Sequence, residues 1–151
     1  MSARILIVED EDTLRESLKR VLGREGFEVD AVNDAESAIR TISESAFDVM
    51  ITDIILPRMN GIELLKKAKE SSPELIVIVM TAFASLETAV EALRAGAYDY
   101  IIKPIIHEEI KRIVVNAFQE RSLRVENAIL KKQVERRYEF TNIVGQAAAI
   151  T

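Results

Sequence analysis

Three stretches of this chain, Ile5-Leu6-Ile7-Val8, Val49-Met50-Ile51 and Leu75-Ile76-Val77-Ile78-Val79-Met80, are apolar without interruption. A strand with one wet face alternates, so short unbroken runs belong to strands covered on both faces, the condition of a parallel sheet. Segments starting near Phe27 and Tyr98 alternate instead and fit edge strands. Between the five strands lie segments with helical spacing of apolar residues. These are Leu14, Leu18, Val21 and Leu22 after Asp12, and Ala35, Ala38, Ile39 and Ile42 after Asp34. Ile62, Leu64 and Leu65 follow ahead of Pro73, then Leu86, Ala89, Val90 and Leu93 ahead of Gly96. Asp12 and Asp34 are expected to cap their helices. Five β-α units predict an α/β fold, a doubly wound five-stranded parallel sheet with the flavodoxin-like order 2-1-3-4-5.

In such a sheet the functional crevice lies beyond the carboxyl ends of the strands. Strand one ends in Glu9-Asp10-Glu11-Asp12, strand three in Asp53, strand four in Thr81-Ala82 and strand five in Lys103-Pro104. Strands one and three are neighbours in the expected order, so Glu9, Asp10 and Asp53 converge. Three carboxylates in a confined site raise one another's pKa unless a cation joins them. The donors are hard oxygens, there is no Cys, and the single His is far away in sequence, which favours Mg²⁺ over Zn²⁺ or copper. A hydroxyl from Thr81 and an ammonium from Lys103 complete a cradle for a phosphoryl group carried by Asp53. Taken singly, Asp10 or Asp12 reads as a helix cap, Thr81 as a strand-end hydroxyl and Lys103 as a solvated charge. It is their joint occurrence at four strand ends that points to a site.

Residues 4 to about 118 resemble the response-regulator receiver domain of two-component signalling. The resemblance rests on Glu9-Asp10, on Asp53, Pro57 and Gly61 in an Asp-x-x-x-Pro-x-x-x-Gly frame, on Thr81-Ala82, and on Ala95-Gly96-Ala97 leading to Tyr100 and Lys103-Pro104. It implies that Asp53 attacks the phosphohistidine of a sensor histidine kinase and becomes an acyl phosphate. It implies Mg²⁺ on Asp10, Asp53 and the backbone carbonyl of Ile55, with Glu9 acting through water. Lys103 would bind a phosphoryl oxygen beside a cis Lys103-Pro104 bond. Thr81 would swing to the phosphoryl group, Ala82 would leave room for it, and Tyr100 would turn inward; plain edge-strand packing is the alternative for Tyr100. The chain departs from the family at Glu9, where Asp is more frequent, and at Ile106, where an Asp or Ser cap is usual. His107 reads as a solvated helix-start residue.

From Glu108 to about Arg137 there is no Pro or Gly, enough for a helical rod of ~45 Å. Ile110, Ile113, Val114 and Ala117 can pack on the sheet. Beyond them Leu123, Asn127, Leu130 and Val134 fall at coiled-coil spacing, with a polar Asn that favours a parallel homodimer in register; a single solvated helix is the alternative. Phe140-Thr141-Asn142-Ile143-Val144-Gly145 looks like the opening of the ATPase module of sigma-54-dependent transcription activators. The expected layout is a receiver over 1–119, a helical linker over 120–138 and the start of a truncated ATPase domain over 139–151. No Walker A sequence is present, so this fragment is expected not to act as an enzyme beyond self-catalysed phosphoryl acceptance and slow autodephosphorylation. The missing ATPase and DNA-binding domains would be its partners in the full-length protein.

Residues 1–110 carry 12 Lys/Arg against 21 Asp/Glu, and residues 111–151 carry 8 against 4. The acidic first block argues against direct nucleic-acid contact. The apolar run at the N-terminus is too short for a signal peptide or a membrane span, so a cytoplasmic location is expected. A haloacid-dehalogenase-like phosphatase would need a second Asp where Ile55 stands. A flavodoxin would need a phosphate loop where Glu9-Asp10-Glu11-Asp12 would repel the phosphate. A kinase-independent dimerisation module remains as the other reading. Phosphorylation can in principle release an inhibitory dimer or build an active assembly, and the continuous linker helix favours the first.

Overall fold

The computed structural model describes residues 3–82, 86–123 and 130. The chain forms two compact units, Met1–Arg121 and Ser122–Thr151. The first contains β1 (Arg4–Val8), α1 (Asp12–Arg24), β2 (Glu28–Val32), α2 (Ala35–Glu44), β3 (Val49–Asp53), α3 (Gly61–Ser71), β4 (Ile76–Thr81), α4 (Leu86–Arg94) and β5 (Asp99–Ile102). A last helix, α5, covers residues 107–121 of this unit. The five strands form one sheet in the expected flavodoxin-like order, β2-β1-β3-β4-β5, with every pair parallel and the two alternating strands at the edges.

The unbroken runs are explained by the two layers they feed. Successive side chains on a strand point to opposite faces. Leu6, Met50, Val77 and Val79 pack with Ala35, Ala38, Leu64, Leu65, Ala68 and Ala92 of α2, α3 and α4. Ile5, Ile7, Ile51, Ile76 and Ile78 pack on the other face with Leu18 and Leu22 of α1 and with Ile110, Ile113, Val114 and Ala117 of α5. Every residue of β3 and β4 is buried, whereas β2 at the edge is half exposed. At ~1.5–3 kcal/mol for each large aliphatic side chain buried, the central strands are where the fold's stability concentrates.

Two local expectations change. Asp12 is the first residue of α1 and not its cap: Glu11 takes the cap position without a side-chain bond, and the Asp12 carboxylate meets Arg15 instead. In α4 the buried residues are Ala89 and Ala92, while Val90 and Leu93 are exposed. Among the described side chains, the helix meets the sheet through these alanines and turns Val90 and Leu93 outward. Asp34 does cap α2, accepting a bond from the Ser37 amide at 2.7 Å.

Of the expected seam, Leu123 and Leu130 are described, and they are 56% and 49% exposed. Asn127 and Val134 lie outside the described residues, as do the rest of the linker past Leu123, apart from Leu130, and residues 139–151. Among the described residues no helix is long and apolar enough to cross a membrane.

Candidate functional site

Strand order brings the site together. β1 and β3 are direct neighbours, with Val8 opposite Thr52, so the residues just past them, Glu9 and Asp10, stand beside Asp53. On the other flank Asp53 is level with Met80, and Met80 with Ile101, which leaves Lys103 two residues beyond on β5's exit. Lys103 is held there by its own amide, which donates to the Thr81 carbonyl at 2.8 Å. The Lys103–Pro104 peptide is cis.

Glu9 is fully buried, Asp53 is 5% exposed, and Asp10 faces solvent. One carboxylate oxygen from each lies within 4.8 Å of the other two. Lys103 Nζ donates to Glu9 Oε1 and to Asp53 Oδ2, both at 2.6 Å, while Asp53 Oδ1 accepts the Ile55 amide at 3.0 Å. Burial pushes the Glu9 carboxyl up to about 7, assisted by the neighbouring Asp53 and opposed by the Lys103 hydrogen bond. Burial also works against the charge on Lys103, but its bonds to Asp53 and Glu9 outweigh that and raise its pKa. One ammonium therefore neutralises only part of a three-carboxylate cluster.

The backbone under Asp53 is equally constrained. A Cβ on Gly61 would lie 2.2 Å from the Asp53 carbonyl oxygen and 2.7 Å from Ile54 Cα, so only glycine lets α3 start against the end of β3. The Gly61 amide donates to the Ile54 carbonyl at 2.7 Å, and the Asn60 side chain caps α3 through the amides of Ile62 and Glu63. Thus Pro57 and Gly61 frame a loop that closes back on Asp53.

The other expected site residues are placed less centrally. Thr81 is buried at the end of β4, and its hydroxyl donates to the Ala82 carbonyl at 3.0 Å. Ala82 is exposed. The Ile55 side chain is 70% exposed beside the site. Tyr100 is half-buried on β5, packed against the apolar layer that includes Val79 and Ala92. His107 stands apart, with Nε2 3.5 Å from Ser17 Oγ. Arg15 was missed by reading strand ends alone, although its spacing of three from Asp12 in the first turn of a helix was a usable sign. Its Nη1 donates to the Glu9 carbonyl at 3.0 Å.

The donor set suits a hard divalent cation. Three carboxylates meet at one point, one of them open to solvent, with fewer positive charges than negative. Asp10, Asp53 and Glu9 are the residues that would hold it.

Fold and site together define a doubly wound α/β domain with a carboxylate–lysine cluster at the carboxyl ends of its strands. The chain belongs to the response regulator receiver domain family, which matches residues 5–115. Regulatory protein AtoC of Escherichia coli K12 is 38% identical over 147 residues, covering 97% of this chain and 32% of AtoC. The crystal structure of NtrX from Brucella abortus is 36% identical with a TM-score of 0.82, over 86% of this chain and 30% of NtrX. The solution structure of the beryllofluoride-activated NtrC4 receiver domain dimer is 35% identical with a TM-score of 0.75, over 78% of this chain and 98% of that one. This chain thus spans about a third of the length of AtoC.

Proposed function

We propose that this chain is the phosphoryl-accepting regulatory part of a two-component response regulator, with Asp53 as the acceptor. The observation that carries the reading is the meeting of Glu9, Asp10 and Asp53 with Lys103 at the strand ends. An Asp53 carboxylate oxygen attacks the phosphorus of a phosphohistidine on a sensor histidine kinase. The phosphorus–nitrogen bond breaks, an acyl phosphate forms, and the imidazole nitrogen leaves and takes up a proton. Lys103, already on Asp53 Oδ2, is placed to follow the charge onto a phosphoryl oxygen. Mg²⁺ held by Asp10, Asp53, the Ile55 carbonyl and, through water, Glu9 would neutralise charge on the transferring group. Thr81 would exchange the Ala82 carbonyl for a phosphoryl oxygen, and Tyr100 would follow it inward. Apart from this acceptance and the slow hydrolysis of its own acyl phosphate, the chain would catalyse nothing.

The wider reading is a cytoplasmic transcription activator of the sigma-54-dependent class. Phosphorylation would control how a homodimer presents ATPase and DNA-binding domains that lie outside this chain. It is supported by the Phe140–Gly145 resemblance and by a match to AtoC that runs past the receiver. The test is phosphorylation by a small phosphodonor, acetyl phosphate or phosphoramidate, followed by intact mass spectrometry. One phosphoryl increment is expected with Mg²⁺ and none with EDTA or in Asp53→Asn. A full increment in Asp53→Asn would overturn the assignment.

A further inference from the structure

Arg15 lies one turn into α1 with a side chain only 15% exposed. Its guanidinium reaches back past the start of the helix: Nη1 donates to the Glu9 carbonyl at 3.0 Å, Nη2 to Asp12 Oδ1, and Nε lies 4.0 Å from Glu16 Oε1. The Glu9 carbonyl belongs to the peptide that joins the buried Glu9 to the exposed Asp10. On its other side Glu9 is tied by its amide to the Val32 carbonyl at 3.1 Å.

We propose that Arg15 is a positioning residue for the cation site, fixing the Glu9–Asp10 peptide so that Asp10 stays aimed at Asp53. This rests on reading the acidic cluster as a divalent-cation site. Lys103 bridges Glu9 and Asp53, so it holds those two carboxylates together and leaves Asp10 to be held through its backbone. Without a cation, repulsion from Asp53 pushes Asp10 outward, and rotation of the Glu9–Asp10 peptide would let it move. A carbonyl accepting from a charged donor resists that rotation. The planar guanidinium holds the Glu9 carbonyl and the Asp12 carboxylate through two nitrogens at a fixed spread, Nη1 and Nη2, which the single nitrogen of a lysine does not reproduce.

The sign of the effect separates positioning from charge. By Coulomb's law alone, removing a positive group near a cation site tightens cation binding; loss of positioning weakens it. The experiment is Mg²⁺ titration calorimetry on the 151-residue chain for wild type, Arg15→Met and Arg15→Lys, with amide hydrogen exchange on the metal-free proteins. Arg15→Met is expected to bind Mg²⁺ about tenfold more weakly, the scale of a lost outer-shell partner. Arg15→Lys is expected to fall between it and wild type. Exchange at the Glu11 amide, which donates to Glu9 Oε2 at 3.5 Å, should quicken while the Ile78 and Val79 amides of β4 keep their rates, which sets global destabilisation aside. Equal or tighter Mg²⁺ binding by Arg15→Met, or unchanged exchange at Glu11, overturns the proposal. Should Arg15→Met not fold, Arg15→Lys decides: weaker binding at unchanged charge supports positioning, and wild-type binding overturns it. A wild-type chain that takes up no Mg²⁺ would bring down the cation-site reading and this proposal with it. Wild-type binding matched by both variants would remove only the role of Arg15.

Discussion

With no solvent exposure and an ammonium 2.6 Å away, the Glu9 carboxyl still holds its proton up to about pH 7, because burial outweighs the Lys103 bond. Its ordinary pKa is 4.5. Between those two values the unfolded chain is ionised while the folded one keeps the proton, so the metal-free protein loses stability as pH rises through this window. The loss is at most about 3 kcal/mol and levels off above pH 7. Lys103 contributes in another range: its pKa is raised from 10.5, so its stabilisation is full below 10.5 and lost as pH climbs past the raised value. Glu9→Gln, which cannot titrate, should flatten the profile between pH 4.5 and 7. Urea unfolding in EDTA at half-unit pH steps measures this, and a wild-type midpoint that does not fall across the window would refute the assignment to Glu9. Saturating Mg²⁺ should erase the same slope in the wild type, because a cation favours the ionised carboxylate.

At the scale of elements, the sheet was legible because burial on both faces leaves no polar residue in β1's apolar run, in Val49–Ile51 or in β4's apolar run, a pattern helices of this length do not need. Glu9, Asp10, Asp53 and Lys103 were legible for a related reason, since strand order alone decides which strand ends meet. What was not legible depends on distances between elements. The apolar stripe of α4 includes Val90 and Leu93, yet the helix lies on the sheet through Ala89 and Ala92. Hydrophobicity favours the larger residues, and only the approach distance reverses the choice. Asp12 has the chemistry of a cap but is drawn to Arg15. Asp34 shows the undisturbed case. The Ser37 amide, and then its side chain, bond the carboxylate and hold it below its ordinary 3.8. Its stabilisation is therefore full above pH 3.8 and fades as pH falls through the lowered value. Asp34→Ala should cost about 1 kcal/mol at pH 7 in chemical denaturation, and Asp34→Asn much less. The gap between Asp34→Ala and wild type should narrow, toward the smaller one between Asp34→Ala and Asp34→Asn, as pH falls through the lowered value; a constant gap would mean that the carboxylate's bond is not the source.

For the whole molecule the quantity to measure is the solution mass, and the two described leucines of the expected seam are where a substitution tests it. Leu123 and Leu130 are one heptad apart and about half exposed, so a second copy would cover them if the seam pairs. The residues around them are basic, 8 Lys/Arg to 4 Asp/Glu over 111–151, so two parallel copies of this stretch repel at low ionic strength. Salt should then strengthen the dimer, whereas docking of one copy's basic stretch on another's acidic receiver would weaken with salt. Sedimentation equilibrium at low and high salt, with Mg²⁺ and with or without beryllofluoride, is expected to show a dimer throughout, tighter at high salt. Leu130→Glu removes from each copy a leucine whose exposed half a dimer would cover, ~1 kcal/mol apiece, and should raise the dissociation constant roughly thirtyfold. A monomer without beryllofluoride that dimerises on loading would rule out a constitutive coiled coil and leave assembly under the control of Asp53. A dimer untouched by Leu130→Glu would move the contact onto the receiver itself, where, among the described residues, Val90, Leu93, Ile102 and Ile106 are exposed apolar side chains on α4, on β5 and in the segment leading into α5.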